Sequence, residues 1–115
     1  MEMPLPEMLD RMSILKLKIE RIGEPHLRKE MEEYKKAVEE CEKKGIKIKE
    51  EWLKGLYEIN GKIWDLESDI RKGKENELGL EEVGRRAIAI RELNKQRIAI
   101  KNKIVEETGL GCELP

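Results

Sequence analysis

Between Arg85 and Lys103 the chain places Arg85, Arg86, Arg91, Lys95, Arg97, Lys101 and Lys103 against one acid, Glu92. Guanidinium and ammonium groups gathered in this way can hold an anion, such as a nucleotide, a phosphorylated sugar or nucleic acid. The same charges can equally form a solvated face balanced by acids of neighbouring helices. Little aromatic character accompanies them, which argues against base stacking on single strands. One cation stands apart. Val83, Ala87, Ile90, Leu93, Ile100 and Ile104 recur at helical steps, and Arg97 interrupts their stripe with Asn94 on its flank. A cation on an apolar face needs a partner, because an unpaired buried charge is very costly. Asp10 and Ser13 lie beside the first apolar stripe, and Glu67 and Asp69 beside the third. With Arg21 and Lys101 they define a candidate polar seam: Asp10, Ser13, Arg21, Glu67, Asp69, Asn94, Arg97 and Lys101. It serves either to bind an anionic ligand or as an ion pair fixing helix register.

Other chemistry is poorly represented. Glu7/Asp10, Glu30/Glu33 and Glu39/Glu42 each put two acids on one helical face. In so acidic a chain about five such pairs arise by chance, so they point to no metal. A di-iron bundle also uses Glu-x-x-His, whereas His26 has Gly23 three residues before it. Cys41 and Cys112 have no metal-ligand spacing. No catalytic residue, metal or cofactor is expected.

The elements that must position the seam are helices. Leu5, Met8, Met12, Leu15, Ile19 and Ile22 mark a first helix over about Pro6–Ile22, closed by Gly23. Pro25 opens a second, with Leu27, Met31, Tyr34, Val38 and Cys41 as its stripe, closing at Gly45. Trp52, Leu56, Ile59, Ile63, Leu66 and Ile70 mark a third, about Ile48–Lys72. The fourth runs from about Leu80 to Glu107. Nothing alternates with period two. The expected class is all-α, an antiparallel up-down-up-down four-helix bundle forming one domain over residues 1–115, with the last two helices longer. Gly55 and Gly61 weaken the third helix by up to about 1 kcal/mol each unless a neighbour packs closely there.

Charged residues make up 43% of the chain, yet 24 basic and 25 acidic residues nearly cancel, which argues against a general grip on nucleic acid. Abundant Lys and Glu with one Gln and one Thr is the composition of a heat-adapted protein. No charged lead and apolar run opens the chain, and its longest apolar stretch is Ala87–Ile90, so a cytoplasmic protein without membrane contact is expected. The longer helices should overhang the shorter pair with Trp52, Leu53, Ile100, Ile104 and Val105, an apolar patch whose cover would be a homodimer. Cys41 and Cys112 fall at the same end of such a bundle, where reduced thiols are the default and a disulfide the heat-adapted exception.

The seam positions also carry a resemblance. Asp10-Arg11, Ser13-Ile14-Leu15, Lys18 and Arg21-Ile22, then Trp64-Asp65-Leu66-Glu67, Asp69-Ile70-Arg71, Asn94, Arg97 and Lys101, are similar in order to a family of small uncharacterised helical proteins. The likeness covers about residues 7–22 and 63–107. Its members often lie beside genes for lipopolysaccharide-core and sugar transfer, and it implies no activity, cofactor or catalytic residue. Lys95 stands where an acid commonly follows the Asn. The reading that results is a non-enzymatic interaction or anionic-ligand-binding module, with a small anion or a protein as partner. The alternative is a small helical enzyme acting on a dianion. Asp10 and Arg21 flank an Ile/Leu run as in the small helical chorismate mutases, which clamp substrate with Arg and Lys and need no nucleophile.

Overall fold

The computed structural model describes residues 3–71 and 78–109, with side chains throughout except at 69–71. Its four helices are α1 (Leu5–Arg21), α2 (Pro25–Lys43), α3 (Glu50–Arg71) and α4 (Leu80–Thr108). No strand occurs among the described residues. The class is all-α, and the boundaries fall within two residues of those expected.

Local chemistry accounts for the breaks. Pro6 sits in the first turn of α1, where no intrahelical N–H is required. At its end the Ile22 and Gly23 amides both donate to the Lys18 carbonyl, and Gly23 takes φ 76°, a conformation open to glycine. Two residues later Pro25 opens α2. At 1.5 Å per residue the helices measure about 26, 29, 33 and 44 Å in order.

In a square bundle each helix packs beside the next. Here α1 takes the middle instead, packing on α2, α3 and α4, while α3 packs on α4 and α2 chiefly on α1. The consecutive helices α2 and α3 therefore stand apart over a cleft of about 1090 Å³. One apolar core joins Leu5, Met8, Leu9 and Leu15 of α1 to Leu27, Met31, Tyr34 and Val38 of α2, Trp52 and Leu56 of α3, and Ile104 of α4. Each such side chain, fully buried, contributes about 1.5–3 kcal/mol.

The overhang lies elsewhere than expected. Trp52 and Ile104 are 3% and 0% exposed, and Leu53, Ile100 and Val105 are half-buried. The start of α1 covers that end, because Glu7 pairs with Lys101. The large apolar residues exposed among the described ones are instead Leu80 (90%), Ile88 (55%) and Ile98 on α4, with Ile22 just after α1. Cover for the Trp52–Val105 patch is thus no ground for a dimer. Cys41 is buried in the core, and Cys112 lies outside the described residues, as does any bond between them.

The two glycines of α3 differ in the room around them. A Cβ on Gly55 would meet Ile100 Cδ1 at 3.0 Å, while one on Gly61 would meet Leu17 Cδ2 at 3.6 Å. Near the α4 terminus Lys49 donates to the Glu107 carboxylate, and the lysine also lies 5.8 Å from the Trp52 ring. That bond holds the Glu107 carboxyl below its ordinary value and raises the Lys49 ammonium above its own.

Two outcomes follow from these contacts. Gly61→Ala, with room for its methyl, should stabilise by about 0.5–1 kcal/mol through helix propensity. Gly55→Ala should gain less or lose stability, since Ile100 must shift; thermal unfolding of the two variants compares them. A carboxylate lowered on folding stabilises above its ordinary pKa, and a raised lysine stabilises below its own. The difference in melting temperature between wild type and Glu107→Gln should therefore be full at pH 7 and shrink as pH falls through 4.5 or rises beyond 10.5.

Candidate ligand-binding site

Three polar residues are buried among the described side chains: Asp10 (5% exposed), Ser13 (4%) and Asn60 (5%). They meet where α1 crosses the middle of α3. Asn60 Nδ2 donates to Asp10 Oδ1 at 2.9 Å and to Ser13 Oγ at 2.8 Å. The Ser13 hydroxyl in turn donates to the Asp10 carbonyl at 2.6 Å. On the other side of the amide, Arg97 Nη1 donates to Asn60 Oδ1 at 3.2 Å. Carboxylates only accept and guanidiniums only donate, so these neighbours fix the orientation of the Asn60 amide.

Lys101 completes the cluster one turn along α4. Its ammonium pairs with Glu7 and lies 3.8 Å from Asp10 Oδ2. Glu7 and Asp10 are thereby paired inside the protein. Arg97 is not. It is half-buried, its Nε is sealed from solvent without a hydrogen-bond partner, and no carboxylate lies within 4 Å among the described residues. The carboxylate partner expected for Arg97 is replaced by a neutral amide.

The guanidinium forms one wall of a pocket of about 370 Å³ between α1, α2 and α4. Arg11, Lys18, Glu30 and Tyr34 also line it, beside Glu7 and Asp10. Arg11, Lys18 and Glu30 have no ion-pair partner among the described residues, and the ring of Tyr34 is buried. Counting Lys101 with the Glu7 and Asp10 it meets, four cations face three acids. Such a surplus around a half-buried guanidinium suits a carboxylate or phosphate, which Arg grips through two parallel N–H bonds.

Of the eight candidate seam residues, Asp10, Ser13, Arg97 and Lys101 converge. Asn94 is half-buried one turn before Arg97, with no hydrogen-bond partner among the described residues. Arg21 lies apart, at the far end of α1, paired with Asp65 and 5.7 Å from the Trp64 ring. Glu67 is half-buried two turns beyond Asn60 on α3, and the Asp69 side chain lies outside the described residues. Sequence reading missed Asn60, the hub. Its signal was the one that marked Arg97, a polar residue at four-residue spacing from apolar Leu56 and Trp64. Glu7 was seen only as half of an acidic pair.

The basic run of α4 resolves largely into local pairs. Arg85 and Arg86 meet Glu82, Arg86 also donates to the Leu66 carbonyl, and Lys95 meets Glu92. Those pairs hold the Glu82 carboxyl below its ordinary value, the Arg86 hydrogen bond first. No group of His, Cys, Asp and Glu suited to a metal occurs among the described residues, and no described helix is long and apolar enough to cross a membrane. Comparison with protein-family models, curated proteins and solved structures finds no match to this chain.

Asn60→Leu removes the donor that holds a buried carboxylate, and should cost about 3 kcal/mol or more. Adding Asp10→Leu should recover part of that loss, since the stranded carboxylate is removed while Arg97 still lacks its acceptor. Chemical denaturation of the single and double variants measures both steps.

Proposed function

We propose that the protein is a non-enzymatic binding module for a small anion, held at Arg97 between α1, α2 and α4. The observation that carries this reading is the guanidinium itself: half-buried, oriented by Asn60, short of a carboxylate, and set in the wall of a pocket. A purely structural arginine would be expected to end on an acid, as Lys101 does. Arg11 and Lys18 supply further positive charge at the rim, and Glu30 suits a hydroxyl or amine on the same ligand. Ser13 donates its proton to a backbone carbonyl, so the hydroxyl is not poised as a nucleophile. In this reading the protein works in the cytoplasm and carries its ligand without transforming it.

The test is thermal unfolding at low salt with inorganic phosphate, citrate or chorismate added in turn. At a concentration 100-fold above the dissociation constant, a bound anion adds about 2.7 kcal/mol. At least one probe should raise the midpoint of wild type and fail to raise that of Arg97→Met. The variant itself should lose only about 1–2 kcal/mol, the worth of one hydrogen bond to a charged group. Equal shifts in both proteins, or none in wild type across all three anions, would overturn the reading.

A further inference from the structure

The charges around Arg97 limit the kind of anion that suits its pocket. On α1 the lining residues Glu7, Arg11, Ile14 and Lys18 recur at steps of three and four, so one face of that helix forms the floor. Glu30 and Tyr34 join it from α2, and Arg97 from α4. Two of the three acids at the pocket are already engaged. Lys101 meets both Glu7 and Asp10, and Asn60 also donates to Asp10. Glu30 is the acid left over: it is exposed one turn before the buried Tyr34, with no ion-pair partner among the described residues. A ligand with negative charge alone would be repelled by Glu30, whereas an ammonium on the same ligand would meet an acceptor there.

Arg11 and Lys18 are likewise without ion-pair partners among the described residues. They stand two turns apart on the floor, about 10 Å at 1.5 Å per residue, with apolar Ile14 and Leu15 between them. Positive charge is thus spread along the floor on either side of an apolar middle. That pattern suits two anionic groups joined by a short aliphatic chain. The volume of about 370 Å³ is at the small end of the roughly 300–1,000 Å³ usual for ligand pockets, which fits a small metabolite.

Taking Arg97 as the seat of an anion, we propose that the pocket selects a dicarboxylate bearing an amine, the chemistry of an acidic amino acid. One carboxylate takes the Arg97 guanidinium, and the ammonium donates to Glu30. Arg11 and Lys18 receive the second carboxylate, and the aliphatic carbons lie over Ile14. The single net negative charge of such a ligand answers the surplus of four cations over three acids.

Isothermal titration calorimetry of the full chain at low salt with L-glutamate, 2-hydroxyglutarate and glutarate tests this, because the probes differ only in what replaces the amine. Wild type should bind L-glutamate at least tenfold more tightly than either of the others. Glu30→Gln, a change at an exposed side chain, should keep the melting temperature and bind all of them alike, while Arg97→Met binds none. Glutarate or 2-hydroxyglutarate binding as tightly as L-glutamate overturns the proposal, as does a preference that survives Glu30→Gln. Phosphate or citrate that stabilises wild type but not Arg97→Met, with L-glutamate failing to bind, overturns it as well and leaves the anion site at Arg97 standing. No binding by any of these anions ends both.

Discussion

A carboxylate placed where the core is forming constrains the whole arrangement. Asp10 follows Met8 and Leu9, both fully buried, so a helix central to the core brings an acid in with it. Burying it alone would undo the gain from several apolar side chains. Asn60 and Lys101 meet it from two different helices, and that requirement sets how α3 and α4 lie on α1. The central position of α1 follows from the need to satisfy one residue from two sides.

Satisfying Asp10 leaves its partners unequal. Lys101 ends on carboxylates, while Arg97 ends on the amide that Asp10 has already engaged. Asn60 relays between them: it gives its N–H to the acid and its oxygen to the guanidinium. The relay holds the arginine in place without neutralising it. Order and unspent charge are thus joined at one side chain, the combination that a preorganised binding group needs.

The helices were legible because amphipathic spacing and Gly/Pro breaks are local. Gly23 and Pro25 end one helix and begin the next for reasons contained in a few residues. The interruption at Arg97 was legible on the same terms, as a charge on an apolar face. Its partner was not, since helical spacing says which face a residue occupies and nothing about which helix comes opposite. The expected acids Glu67 and Asp69 lie about two turns or more along α3 from Asn60, the level that Arg97 meets, so the amide reached the cation first. The overhang failed similarly. Length alone suggested that α3 and α4 reach beyond the shorter pair at Trp52, but the Glu7–Lys101 pair draws the start of α1 to that end.

The central place of α1 has a further consequence for how the chain acquires its structure. Of the four helices α1 is made first, and its decisive partners come about 50 and 90 residues later, at Asn60 and Lys101. Until α4 has left the ribosome, α1 can close on α2 and α3, but Asp10 still lacks Lys101. Contacts so distant in sequence slow the search for the native state, because loop closure must precede their reward. Assembly of the four helices is therefore complete only once α4 closes on α1 and α3.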